Sequence, residues 1–276
     1  MSSDRLAELI GWFAPFSSVL VAFSGGVDSS VVAYAAHEAK GDRSLAVTFD
    51  SPLLPPGEIQ DATLVARTIG IRHEIIKSDV PDVVLANDRY RCYYCKKGEM
   101  GYLVNLAKDR GFGVVVDGTN ASDLNGGWRP GAKALSEVGV RSPLAELGIR
   151  KDEVRSIAKE VGLPNFSKPS MACLASRFPY GHRITLNELK KVGVAELYIR
   201  QLGFKVVRVR DFGNVARIEV GREEIPMLFT NGNSDRIYSR LRQLGFDYVD
   251  VDIMGYRTGS MDEPYAAVES SASNEG

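Results

Sequence analysis

Directly after the apolar run SVLVAF (18–23) the chain reads SGGVDSS, Ser24 to Ser30, and continues with the helical spacing of VVAYAAHEAK. A buried strand, a glycine turn and a helix in immediate succession constrain the chain to an α/β layer. Gly25 and Gly26 permit positive φ and close backbone approach to a ligand. The helix that follows offers free amides and a positive dipole end to an anion. Ser24, Ser29 and Ser30 add hydroxyl donors, and Asp28 is a candidate ligand for a Mg²⁺ that bridges phosphates. No Gly-Lys-Ser/Thr follows, so this is not a Walker A loop, and it is not a GxGxxG dinucleotide turn either. An N-capped helix after a plain turn is the alternative.

The same alternation runs on to about residue 165. SLAVTF (44–49), HEIIK (73–77) and GVVVDG (113–118) read, with SVLVAF, as strands buried on both faces, separated by helical stretches. This predicts a doubly wound parallel sheet with its ligand at the C-terminal strand ends. Asp117-Gly118-Thr119-Asn120 and Asp123 follow the fourth strand and belong to that face, although a simple turn explains them equally well. A helix in RKDEVRSIAKEVG precedes Pro164, and 166–184 reads as an irregular loop of the length that carries function. Beyond it come a helix from about 186 to 202, the strands KVVRVR and VARIEV, two short helices and a last strand, DYVDVDI. The expected organisation is an α/β domain over 1–184, a smaller α+β domain over 185–262 for substrate binding or oligomerisation, and a disordered tail over 263–276.

Composition narrows the classes. With 44% hydrophobic and 25% charged residues, 276 residues form ordinary globular domains that need no metal or disulfide merely to fold. Thirty-four basic against thirty-five acidic side chains speak against a dedicated nucleic-acid partner. The N-terminal stretch breaks its apolar runs with Asp4, Glu8 and Pro15, so neither a signal peptide nor a membrane span is expected, and the expected location is cytoplasmic.

All three cysteines fall in loop-like places near the predicted ligand face: Cys92 and Cys95 in RCYYCKK, Cys173 in PSMACLASRFPYG. Three thiolates cannot complete a structural zinc site, and His182 is the one candidate fourth ligand. Three thiolates could hold a [4Fe–4S] cluster with one iron left open. A redox pair with a persulfide-bearing cysteine, or three cysteines packed as small hydrophobes, are the competing readings. Arg208 and Arg210 share one face of a strand while Val207 and Val209 point the other way, which suits a phosphate clamp or an exposed sheet face. Arg177 and Arg183 flank Cys173 as steering charges or as ordinary surface arginines; His37, His73 and His182 show no ligand spacing.

SGGVDSS matches the SGGxDS[ST] signature and resembles the PP-loop ATP pyrophosphatases, with their adenine nucleotide alpha hydrolase-like fold. That resemblance implies ATP cleaved between its α and β phosphates, an adenylylated substrate oxygen and released pyrophosphate. Together with WRPG (128–131), CLASRFPYG (173–181), VRVR (207–210) and DRIYSRLRQLGF, the loop resembles the LarE-type sulfur transferases that mature the nickel-pincer nucleotide cofactor of lactate racemase. The resemblance spans the chain to about residue 260. It implies ATP, Mg²⁺, the acceptor pyridinium-3,5-biscarboxylic acid mononucleotide, a separate sulfide source and a homo-oligomer. By position, Cys173 matches the cysteine that gives up its sulfur in single-cysteine members. Cys92 and Cys95 depart from those members and resemble a branch in which three cysteines hold a [4Fe–4S] cluster carrying an extra sulfide. Lys96 matches a lysine near the active site. Ser176, Arg208 and Arg210 match a site for the substrate's phosphate, with Glu196 and Asp235 as acidic residues of that region; Asp235 could equally pair with Arg236 or Arg240. The rival functions are a PP-loop tRNA thiolase, an amidating synthetase, for which a glutaminase domain has no room, and a non-catalytic nucleotide sensor.

Overall fold

The computed structural model describes residues 2–124 and 130–261. They form two compact units: the residues up to Val84 with Asp88–Met171, and Leu85–Asn87 with the residues from Ala172 onward. The elements of the first stretch of chain are α1 (Ser2–Trp12), β1 (Val19–Ala22), α2 (Val27–Lys40), β2 (Ser44–Asp50), α3 (Glu58–Ile69), β3 (Arg72–Lys77) and α4 (Asp82–Leu85). They are followed by α5 (Arg91–Asp109), β4 (Val114–Val116), α6 (Ala121–Leu124), α7 (Pro130–Val138), α8 (Pro143–Glu146) and α9 (Lys151–Glu160).

The four strands make one parallel sheet in the order β3-β2-β1-β4, with Leu20 opposite Leu45 on one side and Val115 on the other. Side chains alternate across a strand, so β1 feeds two cores. Val19 and Val21 pack with Val31 and Ala35 of α2 and with Val154 and Ile157 of α9. Leu20, Leu45 and Val115 pack on the opposite face with Met100 and Leu103 of α5 and Leu135 of α7. Each such fully buried aliphatic side chain contributes about 1.5–3 kcal/mol, which is why the inner strands read as unbroken apolar runs. The fold is α/β, a doubly wound parallel sheet with helices on both faces and a second, smaller sheet further along the chain.

One strand departs from the expectation of burial on both faces. HEIIK forms the sheet edge, where β3 pairs only with β2, and Ile75 is exposed. Charged residues blunt an edge strand, and here exposed Arg72 and Lys77 stand at its two ends.

The second unit contains α10 (Leu186–Gln201), β5 (Val207–Asp211), β6 (Val215–Val220), a 3₁₀ stretch at 222–229, α11 (Asn233–Gln243) and β7 (Tyr248–Val251). Thr185 starts α10 with a reciprocal cap: its hydroxyl accepts from the Glu188 amide, and its own amide donates to the Glu188 carboxylate at 2.8 Å. β5 and β6 are antiparallel, β6 and β7 parallel. Residues 172–184, placed with the first domain on sequence grounds, pack with this unit, since Gly181 and Ile184 donate their amides to the carbonyls of Asn87 and Leu85. Trp128 and Arg129 of WRPG and the segment 263–276 lie outside the described residues. Among the described residues no helix is long and apolar enough to cross a membrane.

Candidate active site

In the first unit β2 and β3 lie on one side of β1 and β4 on the other, so the chain reverses direction across the sheet between β1 and β4. Ligands of open parallel sheets bind in the crevice at such a reversal, beyond the C-terminal strand ends. Ser24–Ser30 follows β1 there, and Asp117–Asn120 follows β4.

Two glycines let the segments close up. Gly25 has φ +72°, and a Cβ on it would stand 2.7 Å from both Cα and Cβ of Ala62. A Cβ on Gly118 would stand 2.6 Å from the Ser29 amide nitrogen, so the turn after β4 lies directly against the start of α2. Gly26 caps α2 with no side chain to offer, which leaves the first-turn amides without a side-chain acceptor. The serines divide their work. Ser24 is exposed, whereas Ser29 and Ser30 are buried and donate to the Gly26 carbonyl at 3.1 and 2.8 Å, so their hydroxyls shape the cradle instead of lining it. Buried Asn165 ties the loop from behind, donating at 2.9 Å to both the Gly25 carbonyl and the Ser30 hydroxyl.

Two carboxylate–lysine pairs flank this cradle. Asp28 accepts from Asn120 at 3.1 Å and forms a close ion pair with Lys151, the first residue of α9. Asp117 is buried, accepts from the hydroxyls of Thr119 and Ser142 at 2.6 Å each, and has the Lys96 ammonium 4.0 Å away. Lys96 belongs to α5, as do Cys92, which is exposed, and Cys95, which is partly buried. Burial raises the Glu99 carboxyl above its ordinary value, while Lys96 and a hydrogen bond with Cys95 act against that shift.

The second unit gathers arginines. Cys173 caps the short 3₁₀ turn Leu174–Arg177, and the Ser176 hydroxyl donates to the Cys173 carbonyl at 2.8 Å. Arg177 is fully buried and paired with Glu196, also fully buried, so it is not a surface arginine. Arg208 and Arg210 are buried as well, so the arginine face of β5 is covered rather than open. Arg210 pairs with Glu219 at 2.7 Å and donates to the Ser176 carbonyl at 2.8 Å. Arg208 donates to the Val207 carbonyl and lies over the Tyr256 ring, 4.9 Å from its centroid. Burial first, then the neighbouring Arg177, lowers the Arg208 pKa from its ordinary value, a setting in which an added anion is favoured. Asp235 is exposed in the first turn of α11, beside a shallow cleft with Tyr198 and Arg240, and forms no ion pair with Arg236 or Arg240.

An uncharacterised protein of Synechocystis is 42% identical to this chain over 264 residues, covering 95% of this chain and 98% of its own length. The pyridinium-3,5-bisthiocarboxylic acid mononucleotide synthase of Lactiplantibacillus plantarum is 37% identical over 273 residues, covering 95% of each. The chain belongs to this synthase family. An uncharacterised protein of Methanocaldococcus jannaschii is 29% identical, over 87% of this chain and 91% of its own. The NAD synthase family matches residues 12–97, from the end of α1 into α5, which contains the glycine loop. The chain is an ATP-dependent sulfurtransferase of PP-loop architecture.

For a synthase of this kind the structure adds two residues that sequence patterns do not single out, Lys151 and Asn165, and it makes Gly118 a close-packed position and Arg177 a buried one. Asp28 fits a Mg²⁺ brought in with a nucleotide, because Mg²⁺ takes one or two protein carboxylates and fills its remaining positions with phosphate oxygens and water. The three thiols suit iron chemically, being soft donors outside any disulfide. Cys92 and Cys95 stand in the first unit and Cys173 in the second, and within neither unit do three His, Cys, Asp or Glu side chains gather as a metal-holding group among the described residues.

Proposed function

We propose that this chain adenylylates the carboxylates of pyridinium-3,5-biscarboxylic acid mononucleotide and converts them to thiocarboxylates, for the nickel-pincer cofactor of lactate racemase. The observation that carries this reading is identity of 37% over 95% of both chains with a protein named for the bisthiocarboxylic product. The chemistry agrees with the cradle. A carboxylate oxygen attacks the α phosphorus of ATP, the bond to the β-phosphate oxygen breaks, and pyrophosphate leaves. A sulfide then attacks the acyl carbon, and AMP departs with one of the original carboxylate oxygens.

In this reading Ser24, Gly25, Gly26 and the first-turn amides of Asp28 and Ser29 hold the phosphates, Ser30 shapes the loop through its amide and hydroxyl, which both donate to the Gly26 carbonyl, and the Asp28 carboxylate holds Mg²⁺. Lys96 stands by the developing negative charge. Ser176, Arg208 and Arg210 bind the substrate's phosphate monoester, Glu196 keeps that site in shape through Arg177, and Asp235 is assigned to substrate binding by the resemblance alone. Cys92, Cys95 and Cys173 are the ligands for a [4Fe–4S] cluster. Such a cluster, when bound, supplies an open iron that can carry the sulfide. The competing source is Cys173 itself, which would end as dehydroalanine. The enzyme works as a cytoplasmic homo-oligomer on sulfide delivered from outside.

The test is an anaerobic incubation with ATP, Mg²⁺, the biscarboxylic mononucleotide and sulfide. The expected products are AMP, pyrophosphate and a thiocarboxylate. ADP and phosphate, or thiolation of tRNA in place of the mononucleotide, would overturn the proposal.

A further inference from the structure

The stretch of chain that leaves β7 returns over the arginine face of β5. Asp252 donates its amide to the Ile218 carbonyl at 2.9 Å and Tyr256 donates its own to the Val220 carbonyl at 2.7 Å, so the stretch is latched to β6 at two points. The turn between them closes on Gly255, at φ +69°, where a Cβ would stand 2.8 Å from the Val220 carbonyl oxygen. Tyr256 is thereby fixed from its backbone, with the Arg208 guanidinium over its ring at 4.9 Å from the centroid. Four residues on, buried Ser260 accepts from Arg210 at 3.3 Å.

Arg177, Arg208 and Arg210 are all buried in this unit, and they are held in two ways. Arg177 meets Glu196 and Arg210 meets Glu219, carboxylates that cancel a charge and occupy its N–H donors. Arg208 rests on an aromatic face and donates to the Val207 carbonyl of its own strand. An aromatic quadrupole attracts a cation without neutralising it. A guanidinium lying over a ring also leaves its N–H donors, which point outward in its own plane, unused by that contact. The support matters here, because Arg177 and Arg210 both act against the Arg208 charge while Tyr256 favours it. Losing the ring lets like-charge repulsion turn the side chain aside.

We propose that Tyr256 is a positioning residue for the substrate's phosphate: its ring holds the Arg208 guanidinium charged and oriented, so that a phosphate monoester meets a preset cation. The proposal rests on the reading of Arg208 as a phosphate-binding residue. It separates a structural arginine, Arg177, from a recognition arginine, Arg208, by the chemistry of the group that holds each. It also gives the chain beyond β7 a part in recognition, since the Gly255 turn brings the ring across β6 to β5.

The test compares two ligands on the full chain: the biscarboxylic mononucleotide and the same compound without its phosphate. Calorimetric titrations are run on the unaltered chain, Tyr256→Phe, Tyr256→Leu, Arg208→Met and the double variant of the last two. Tyr256→Leu should weaken mononucleotide binding about fivefold to thirtyfold, the span of a partly desolvated cation–π contact. Its affinity for the compound without phosphate should be unchanged. Tyr256→Phe keeps the ring and should bind both ligands as the unaltered chain does. With Arg208→Met already in place, Tyr256→Leu should cost nothing further. Equal weakening of both ligands would mean that Tyr256 only supports the fold, and a loss that persists beside Arg208→Met would mean that it acts by another route; either overturns the proposal. Undiminished mononucleotide binding by Arg208→Met would overturn the phosphate reading of Arg208 and the proposal with it. The contact itself is read separately, from a ring-current shift of the Arg208 guanidinium resonance that Tyr256→Leu removes and Tyr256→Phe keeps. Should Tyr256→Leu not fold, as judged by its thermal transition, Tyr256→Met serves the same comparison.

Discussion

The Arg177 guanidinium and the Glu196 carboxylate, both closed off from solvent, meet at two points, Nε to Oε1 at 2.7 Å and Nη2 to Oε2 at 3.0 Å. The remaining Arg177 nitrogen donates to the carbonyls of Ala172 and Cys173 and to the Ser176 hydroxyl. Glu196 also accepts the Val209 amide at 3.0 Å. One buried pair thus fastens the Cys173 segment to β5. Removing one partner leaves an uncompensated buried charge, at a cost of about 3–5 kcal/mol. Glu196→Ala should lower stability by that amount in urea unfolding, while Arg177→Met with Glu196→Met should cost clearly less than the two single changes summed. Additive losses would show that the pair does not act as a unit.

Gly118 carries a second prediction. An alanine Cβ there would meet backbone at the start of α2 and could not be absorbed by a side-chain shift. Gly118→Ala should weaken ATP binding and cost about 1–3 kcal/mol of stability, as overpacking does. An alanine variant with unchanged ATP affinity and melting temperature would show that the turn is not held against the loop.

His73 gives the pH dependence. Thr48 donates to the Phe23 carbonyl at 2.6 Å, so the 2.8 Å contact of its hydroxyl with His73 must have the imidazole Nε2–H as donor. Burial lowers the His73 pKa below its ordinary 6.5. A group with a depressed folded-state pKa binds fewer protons folded than unfolded, so its stabilisation is present above 6.5 and is lost as pH falls. Unfolding free energy should decline between neutral pH and pH 5 with a slope that flattens in His73→Gln. An unchanged slope would place the pH dependence elsewhere.

The substrate phosphate gives another. Arg208→Met should weaken binding of the pyridinium nucleotide about tenfold to a hundredfold, the range of a lost charged hydrogen bond, and leave ATP affinity unaltered. The reverse pattern would mean that the two ligands have been assigned to each other's sites.

The inner strands and the glycine loop were legible because they are local patterns: apolar runs, a turn and a helix start within a dozen residues. β3 misled because an edge strand and a buried one share β-branched composition, and pairing on one side only is a property of the sheet. Lys151, Asn165 and Arg177 carry no periodic signal. Their partners are Asp28, Gly25 with Ser30, and Glu196, at separations of 123, 140 with 135, and 19 positions. The arginine face of β5 was legible as a face, but its burial depends on Glu219, Ser260 and Tyr256, which come from later in the chain.

The sulfur source divides on the fate of Cys173. With the cluster, alanine at Cys92, Cys95 or Cys173 should abolish bound iron and activity alike, and the intact mass of the chain should be unchanged after several turnovers. Loss of H₂S from Cys173, with Cys92→Ala and Cys95→Ala still active, would establish sacrificial donation instead.

Adenylylation itself is tested most directly by oxygen tracing. The biscarboxylic mononucleotide is prepared with ¹⁸O in its carboxylates and turned over with unlabelled ATP and sulfide. Attack by a carboxylate oxygen on the α phosphorus, followed by sulfur displacement at carbon, puts one ¹⁸O into each AMP and none into pyrophosphate. AMP free of label, or label appearing in released phosphate beside ADP, would contradict the account.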